Sequence, residues 1–159
     1  MKRSTVSWIL KAVLVVGALG ILLAAAYMLP TYMKHVVAVM PELSGAYGWV
    51  VAYGWLLSIP ALVCVALLWQ VFGTIATNDA FCQKNALRFT RIWQLALFDL
   101  GLVVAMGIFL ILNRAMPPFL ILTVSTLLFL GVTAGATAFA LAGLTGSAAE
   151  MAENDKMTI

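Results

Sequence analysis

Charged residues are scarce in this sequence: only 9% of its 159 residues are Asp, Glu, Lys or Arg. A soluble domain carries roughly 25% charged residues, because they cover the surface that faces water. Here 64% of the residues are hydrophobic, and the mean hydropathy is +1.08. The scarcity of charge therefore excludes a soluble monomer and indicates a chain that lies in a lipid bilayer.

The side chains that carry most enzyme chemistry are also few. His35 is the single histidine, so a haem held by two histidines is excluded, and with Glu42 it supplies too few ligands for a protein metal site. Cys64 and Cys82 lie too far apart in sequence for a CxxC redox motif. No glycine-rich nucleotide-binding loop is present. We therefore expect no cofactor, no metal site and no enzymatic activity.

Four apolar runs, each close to the roughly 20 residues that cross a bilayer as a helix, dominate the sequence. They predict an all-α, integral membrane four-helix transmembrane bundle that forms a single domain over residues 1–159, with spans at residues 8–29, 49–72, 92–112 and 119–144. Pro30 is predicted to end the first helix, with a loop over residues 31–48. The acidic tail, residues 147–159, is predicted to fray.

The basic residues predict how the bundle is oriented. Lys and Arg are enriched at the cytoplasmic ends of membrane spans. Lys34 and Arg114 fall on one side of the bundle, and the other seven fall on the opposite side: Lys2, Arg3, Lys11, Lys84, Arg88, Arg91 and Lys156. Both termini and the connection 73–91 are therefore predicted in the cytoplasm (N-in, C-in). Membrane topology accounts for the positions of these basic residues, so we expect no direct binding of nucleic acid.

A basic amphipathic segment connects the second span to the third. Lys84, Arg88 and Arg91 follow the spacing i, i+4, i+7 and share one face of a predicted helix that continues into the third span. Ala86 and Phe89 lie roughly opposite. Such a basic face can lie on anionic lipid headgroups or dock an acidic partner. The plainer alternative is that these charges only fix the topology.

Asp99 is the only acidic residue inside a predicted span. A carboxylate there costs a few kcal/mol unless it is paired, protonated or hydrated. Lys11 is predicted at a comparable depth in the first span, so an interhelical Lys11–Asp99 pair is expected. The alternative is a carboxyl group that binds a proton or a ligand, as intramembrane acids often do.

The fourth run contains a GxxxG motif, formed by Gly131 and Gly135. Small residues allow helix backbones to approach closely in lipid. The motif predicts close packing through this face, either within the chain or in a homo-oligomer.

The connection between the second and third spans resembles a segment of a known family. Residues 72–93, FGTIATNDAFCQKNALRFTRIW, are similar to a stretch typical of the domain-of-unknown-function 2975 family of small bacterial four-helix membrane proteins. Cys82 departs from the family pattern, which favours a hydroxyl residue that would cap the helix. The residues that fit the pattern are Phe81, Asn85, Leu87, Arg88 and Ile92.

The resemblance implies a place in the bacterial inner membrane and a small helix-turn-helix transcription regulator as partner, with no catalytic residues. The leading hypothesis is therefore a non-enzymatic membrane protein that binds or sequesters a cytoplasmic regulator. The alternatives are a transporter or channel subunit that uses Asp99, and a structural subunit of a larger membrane complex. The candidate contact residues for a partner or for lipid are Lys84, Arg88 and Arg91, with Phe81 and Asn85 setting the helix start.

Overall fold

The computed structural model describes residues 3–39, 41–76, 82–112 and 118–157, which are helical almost throughout. A π-helical turn (Ala24–Met28) joins the first two helices, and a 3-10 helix (Pro41–Ala46) leads into the third. No strand occurs within these described ranges. The helices are α1 (Arg3–Leu23), α2 (Leu29–Val39), α3 (Tyr47–Ala76), α4 (Gln83–Leu112) and α5 (Pro118–Met157).

Four helical stretches of the described chain are long and apolar enough to cross a membrane, and each overlaps one predicted span. Backbone polar groups have no water partner in lipid, so an unbroken helix is the form in which a single segment can cross it. Large apolar side chains such as Trp8 and Phe129 are exposed, as expected where the solvent is lipid. The prediction of an all-α membrane fold is confirmed. The four stretches are Ser4–Val39, Ser44–Thr74, Gln83–Phe109 and Ile121–Ala152.

The first span does not end at Pro30, and that prediction was wrong. α2 contains Pro30 and runs to Val39, through part of the predicted loop. A proline has no N–H and its ring crowds the carbonyl four residues earlier. The π-turn directly before it changes the bonding pattern: the Leu29 N–H donates to the Ala24 carbonyl, five residues back. This wider turn lets the helix continue through the proline without a break.

The prediction that the C-terminal tail frays was also wrong, because α5 continues to Met157. Most residues from Ala148 onwards are strong helix formers. Near the start of this extension the helix still packs within the chain: Thr145 is buried, and a Cβ atom at Gly146 would lie 3.9 Å from the Ala86 side chain. Packing therefore anchors the helix where the apolar run ends.

The four spans, the first of which contains both α1 and α2, pack side by side in the order of the sequence. α1 contacts α3, α3 contacts α4 and α4 contacts α5, whereas the described part of α1 makes no close backbone approach to α4 or α5. The apolar core lies between α3, α4 and α5 and is formed by Val71, Phe89, Ile92 and Ala138.

One end of the bundle holds the start of α1, the end of α3, the start of α4 and the end of α5; we call it the termini end. The core residues lie towards this end, because Val71 is close to the end of α3 and Phe89 is close to the start of α4. Further along, the Tyr53 hydroxyl donates to the Leu102 carbonyl at 2.6 Å and links α3 to α4. A Cβ atom on Gly54 would collide with the Leu29 side chain, so this glycine lets α2 approach α3.

Candidate functional site

The termini end contains a buried polar cluster centred on Asn85, a side chain with 0% exposure. Its Nδ2 donates to Thr74 Oγ1 at 2.7 Å, and its Oδ1 accepts from Arg88 Nη1 at 2.7 Å. The Thr74 hydroxyl donates in turn to the Val71 carbonyl at 2.6 Å. A buried amide must have such partners, because leaving its donors and acceptors unpaired is costly. The cluster therefore fixes the end of α3 to the start of α4 and holds one nitrogen of Arg88.

α4 begins at Gln83, between the two residues predicted to set the helix start. The Cys82 carbonyl accepts from the backbone N–H groups of Asn85 at 2.9 Å and Ala86 at 3.3 Å, so the first helical turn closes on Cys82. Asn85, predicted to set the helix start, lies in that first turn and binds α3 through its side chain. Phe81, predicted to act with it, lies outside the described residues.

α1 joins the termini end through two further polar contacts. Ser7 is 3% exposed, and its hydroxyl donates to the Phe72 carbonyl at 2.6 Å. The Lys11 ammonium group lies over the Trp69 ring, 5.2 Å from its centroid, which is a cation–π distance. Polar side chains from α1, α3 and α4 are therefore brought together at this end.

The predicted amphipathic character of α4 is present in the structure. Ala86, Phe89 and Ile92 are buried against the neighbouring helices, whereas Lys84 and Arg91 are exposed. Arg88, the third basic residue, is half-buried against Asn85. Because the apolar face is packed inside the bundle, the basic face is a fixed surface of the protein and not the outer side of a mobile helix.

The structure does not bring Lys11 and Asp99 together, and the expected ion pair is not formed. The hydrogen bonds from Asn85 to Thr74 and from Tyr53 to Leu102 define the antiparallel register of α3 and α4. In this register Asp99 lies opposite the part of α3 around position 57. Lys11 is level with Trp69, about 12 residues or roughly 18 Å away along the helix axis at 1.5 Å per residue. A lysine side chain cannot span that distance.

Asp99 instead lies near the middle of α4 without a cationic partner among the described residues. Its Oδ1 is buried and accepts no hydrogen bond. Tyr53 and Cys64 of α3 are close enough for its charge to act on them. This arrangement is an isolated carboxyl group between two helices, inside a membrane span, where charge is costly.

The glycines of the GxxxG motif pack within the chain. A Cβ atom at Gly135 would lie 3.1 Å and 3.2 Å from two Trp93 ring carbons, and one at Gly131 would lie 3.3 Å from a Leu100 methyl group. The Trp93 ring also contacts Phe139 of α5, with ring centroids 5.4 Å apart. Both glycines therefore lie against α4 within the chain, and a homo-oligomer through the Gly131/Gly135 face stays a prediction.

Sequence reasoning missed three hydroxyl groups of the termini end: those of Ser7 and Thr145, which are buried, and that of Thr74, which is half-buried against Asn85. Each is an isolated Ser or Thr near the end of an apolar run, and no motif distinguishes it from exposed hydroxyl residues such as Thr133. Ser7 and Thr74 bond to residues of other helices, and Thr145 is buried by packing, so only the packing of the helices identifies the three.

Comparison with known proteins identifies a family for this chain. No curated protein and no solved structure matches the chain. The model of one family, described as "Protein of unknown function (DUF2975)", matches residues 24–159, from the π-turn to the last residue. The match covers far more than half of the chain and includes the whole Asn85 cluster. The chain therefore belongs to the DUF2975 family.

Proposed function

We propose that this protein is a non-enzymatic anchor in the bacterial inner membrane that binds a cytoplasmic regulator of the helix-turn-helix type and thereby sequesters it. The observation that carries the proposal is the exposed basic face of α4. Lys84 and Arg91 are accessible, and Arg88 between them is held in place by Asn85. A fixed array of cations favours a partner with a complementary acidic surface, and such complementarity increases the rate and specificity of association.

The location of this face supports a cytoplasmic partner. The termini end holds Lys11, Lys84, Arg88 and Arg91, and Lys or Arg enrichment marks the cytoplasmic side of a membrane protein. Lys34 lies on α2, at the opposite end of the first span. The bundle inserts with its termini end in the cytoplasm, where a soluble regulator can reach α4.

The choice of a regulator as partner rests on the family resemblance of residues 72–93. The described part of the chain has short connections and no domain outside the helices, which is consistent with a protein whose soluble activity resides in another molecule. Sequestration would work by holding the regulator at the membrane, away from its DNA sites.

Affinity capture of the full-length protein from detergent extracts tests the proposal. The wild type is compared with a Lys84→Glu/Arg91→Glu variant, and the captured soluble proteins are identified by mass spectrometry. We expect the wild type to recover a DNA-binding regulator that the double variant does not recover. Binding of that regulator after purification should weaken as salt is raised, since exposed charges are screened.

Lys34→Glu is the matched control, because it reverses an exposed lysine at the other end of the first span. It should capture the regulator as well as the wild type does. Charge reversal can also invert a membrane protein, so the labelling of Cys82 by a membrane-impermeant thiol reagent is compared for all variants in a Cys64→Ser background. If no soluble protein depends on Lys84 and Arg91 in correctly oriented variants, the proposed function is wrong.

A further inference from the structure

We propose that the Asp99 carboxyl group is a proton-binding site inside the membrane, occupied as the neutral acid at neutral pH. The ligand is the proton itself. This site is separate from the basic face of α4, and it neither requires nor excludes a docked regulator.

Asp99 lies well inside the third membrane span. Within the predicted span 92–112, Asp99 follows the first residue by seven positions and precedes Leu112, the last, by 13. At 1.5 Å per residue it lies about 11 Å from the cytoplasmic end of the span and about 20 Å from the other end. The hydrocarbon core of a bilayer is about 30 Å thick. A short aspartate side chain at this position cannot reach the headgroups.

The second step is the lack of a compensating charge on the helices that pack against α4. The nearest cation on α4 itself, Arg91, is eight residues or about 12 Å away along the axis. α3 presents only Tyr53 and Cys64 to Asp99 as titratable groups. α5 has no titratable side chain between Pro118 and Ala149. An ionised Asp99 would therefore be a single uncompensated charge.

The third step is the lack of a hydrogen-bond donor. Both oxygens of an ionised carboxylate accept hydrogen bonds, and burial without donors is costly. Asp99 Oδ1 is buried with no partner. The Tyr53 hydroxyl of α3 donates its only proton to the Leu102 carbonyl at 2.6 Å. Protonation removes the charge, and with it most of the cost.

The surroundings favour a proton over a metal ion. Among the described residues, no three His, Cys, Asp or Glu side chains come together in a way that could hold a metal. Metal ions need several oxygen, nitrogen or sulfur ligands, whereas a proton needs one carboxyl oxygen. The site therefore suits a proton better than a metal ion.

The full-length protein in lipid vesicles allows a direct test with a hydrophobic carbodiimide, dicyclohexylcarbodiimide. The reagent takes the proton of a neutral carboxylic acid on one nitrogen, and the carboxyl oxygen then adds to its central carbon. Rearrangement gives a stable N-acylurea that contains all atoms of both reactants. We expect peptide mapping at pH 7 to find the adduct on Asp99 and to show that labelling declines as the pH is raised further.

Infrared spectroscopy gives a second readout on the wild type that does not depend on a variant folding. We expect the C=O stretching band of a neutral carboxylic acid at pH 7, and its absence in Asp99→Asn. Glu150, an exposed carboxyl group on α5, is retained in Asp99→Asn, so a band that disappears with this substitution belongs to Asp99. If Asp99 escapes the carbodiimide at pH 7 and becomes neutral only near pH 4, as an ordinary aspartate does, the proposal is overturned.

Discussion

Asn85→Leu is expected to destabilise the bundle more than any change of an exposed polar residue, because Asn85 joins α3 to α4 from a fully buried position. Leucine has a similar size but cannot form hydrogen bonds. The variant loses the bond to Thr74, about 1 kcal/mol, and the bond from the charged Arg88, about 1.5–3 kcal/mol. The apolar burial of leucine offsets part of this loss. We expect the free energy of unfolding to fall by about 2–4 kcal/mol.

The assay is equilibrium unfolding of the purified protein in mixed micelles, in which the fraction of sodium dodecyl sulfate is raised and helix loss is followed by circular dichroism. The wild type, Asn85→Leu, Thr74→Val and the double variant form a double-mutant cycle. A coupling energy of about 1 kcal/mol between positions 74 and 85 would be the contribution of their hydrogen bond, since the cycle removes the separate effects of each substitution.

Gln94→Leu is the matched control, because Gln94 is an amide on the same helix but is exposed. Surface substitutions usually change stability by less than about 0.5 kcal/mol. If Asn85→Leu unfolds at the same detergent fraction as Gln94→Leu, or if the cycle shows no coupling, then the buried amide does not hold α3 to α4.

Two further substitutions test the contacts that hold the first span to α3. Gly54→Val places a branched side chain where the Leu29 side chain now lies, and overpacking of this kind costs about 1–3 kcal/mol; adding Leu29→Ala should recover part of the loss in the same unfolding assay. Ser7→Ala removes the donor to the Phe72 carbonyl and should cost about 1 kcal/mol, measured as a lower thermal unfolding temperature.

Each of these changes has a control at a position without the contact. Gly17→Val adds the same branched side chain to a helical glycine that has open space around its Cβ position, so it should cost less than Gly54→Val. Ser4→Ala removes an exposed hydroxyl from the same helix as Ser7 and should leave the unfolding temperature unchanged. Equal effects of a variant and its control would contradict the corresponding contact.

Several features of the candidate site were predictable because they depend on local periodicity. Residues three and four positions apart share a helix face, so the exposed Lys84 and Arg91 and the buried Ala86 and Phe89 follow from the sequence order alone. The start of α4 at Gln83 was predictable for a similar reason, since the residues around it change from loop-forming to helix-forming types.

The partners of Lys11 and Asp99 were not predictable in this way. Counting residues from the start of an apolar run gives an approximate depth in the membrane. The axial register of one helix relative to another, however, is set by the side chains that pack between them. Here the register fixed by Asn85 and Tyr53 separates the two charges and leaves Asp99 alone. A hydropathy pattern contains no information about that register.

The sequence by itself determined that this protein forms four apolar helices, because in lipid each backbone polar group must be satisfied within its own segment and run length decides what can span. The tertiary structure alone decided what each helix contacts: Trp93 packs against Gly135, Asn85 is fully buried, and a π-turn lets the helix continue through Pro30. Helix formation depends on neighbours in sequence, whereas the rotation and register of a helix depend on side chains from distant parts of the chain.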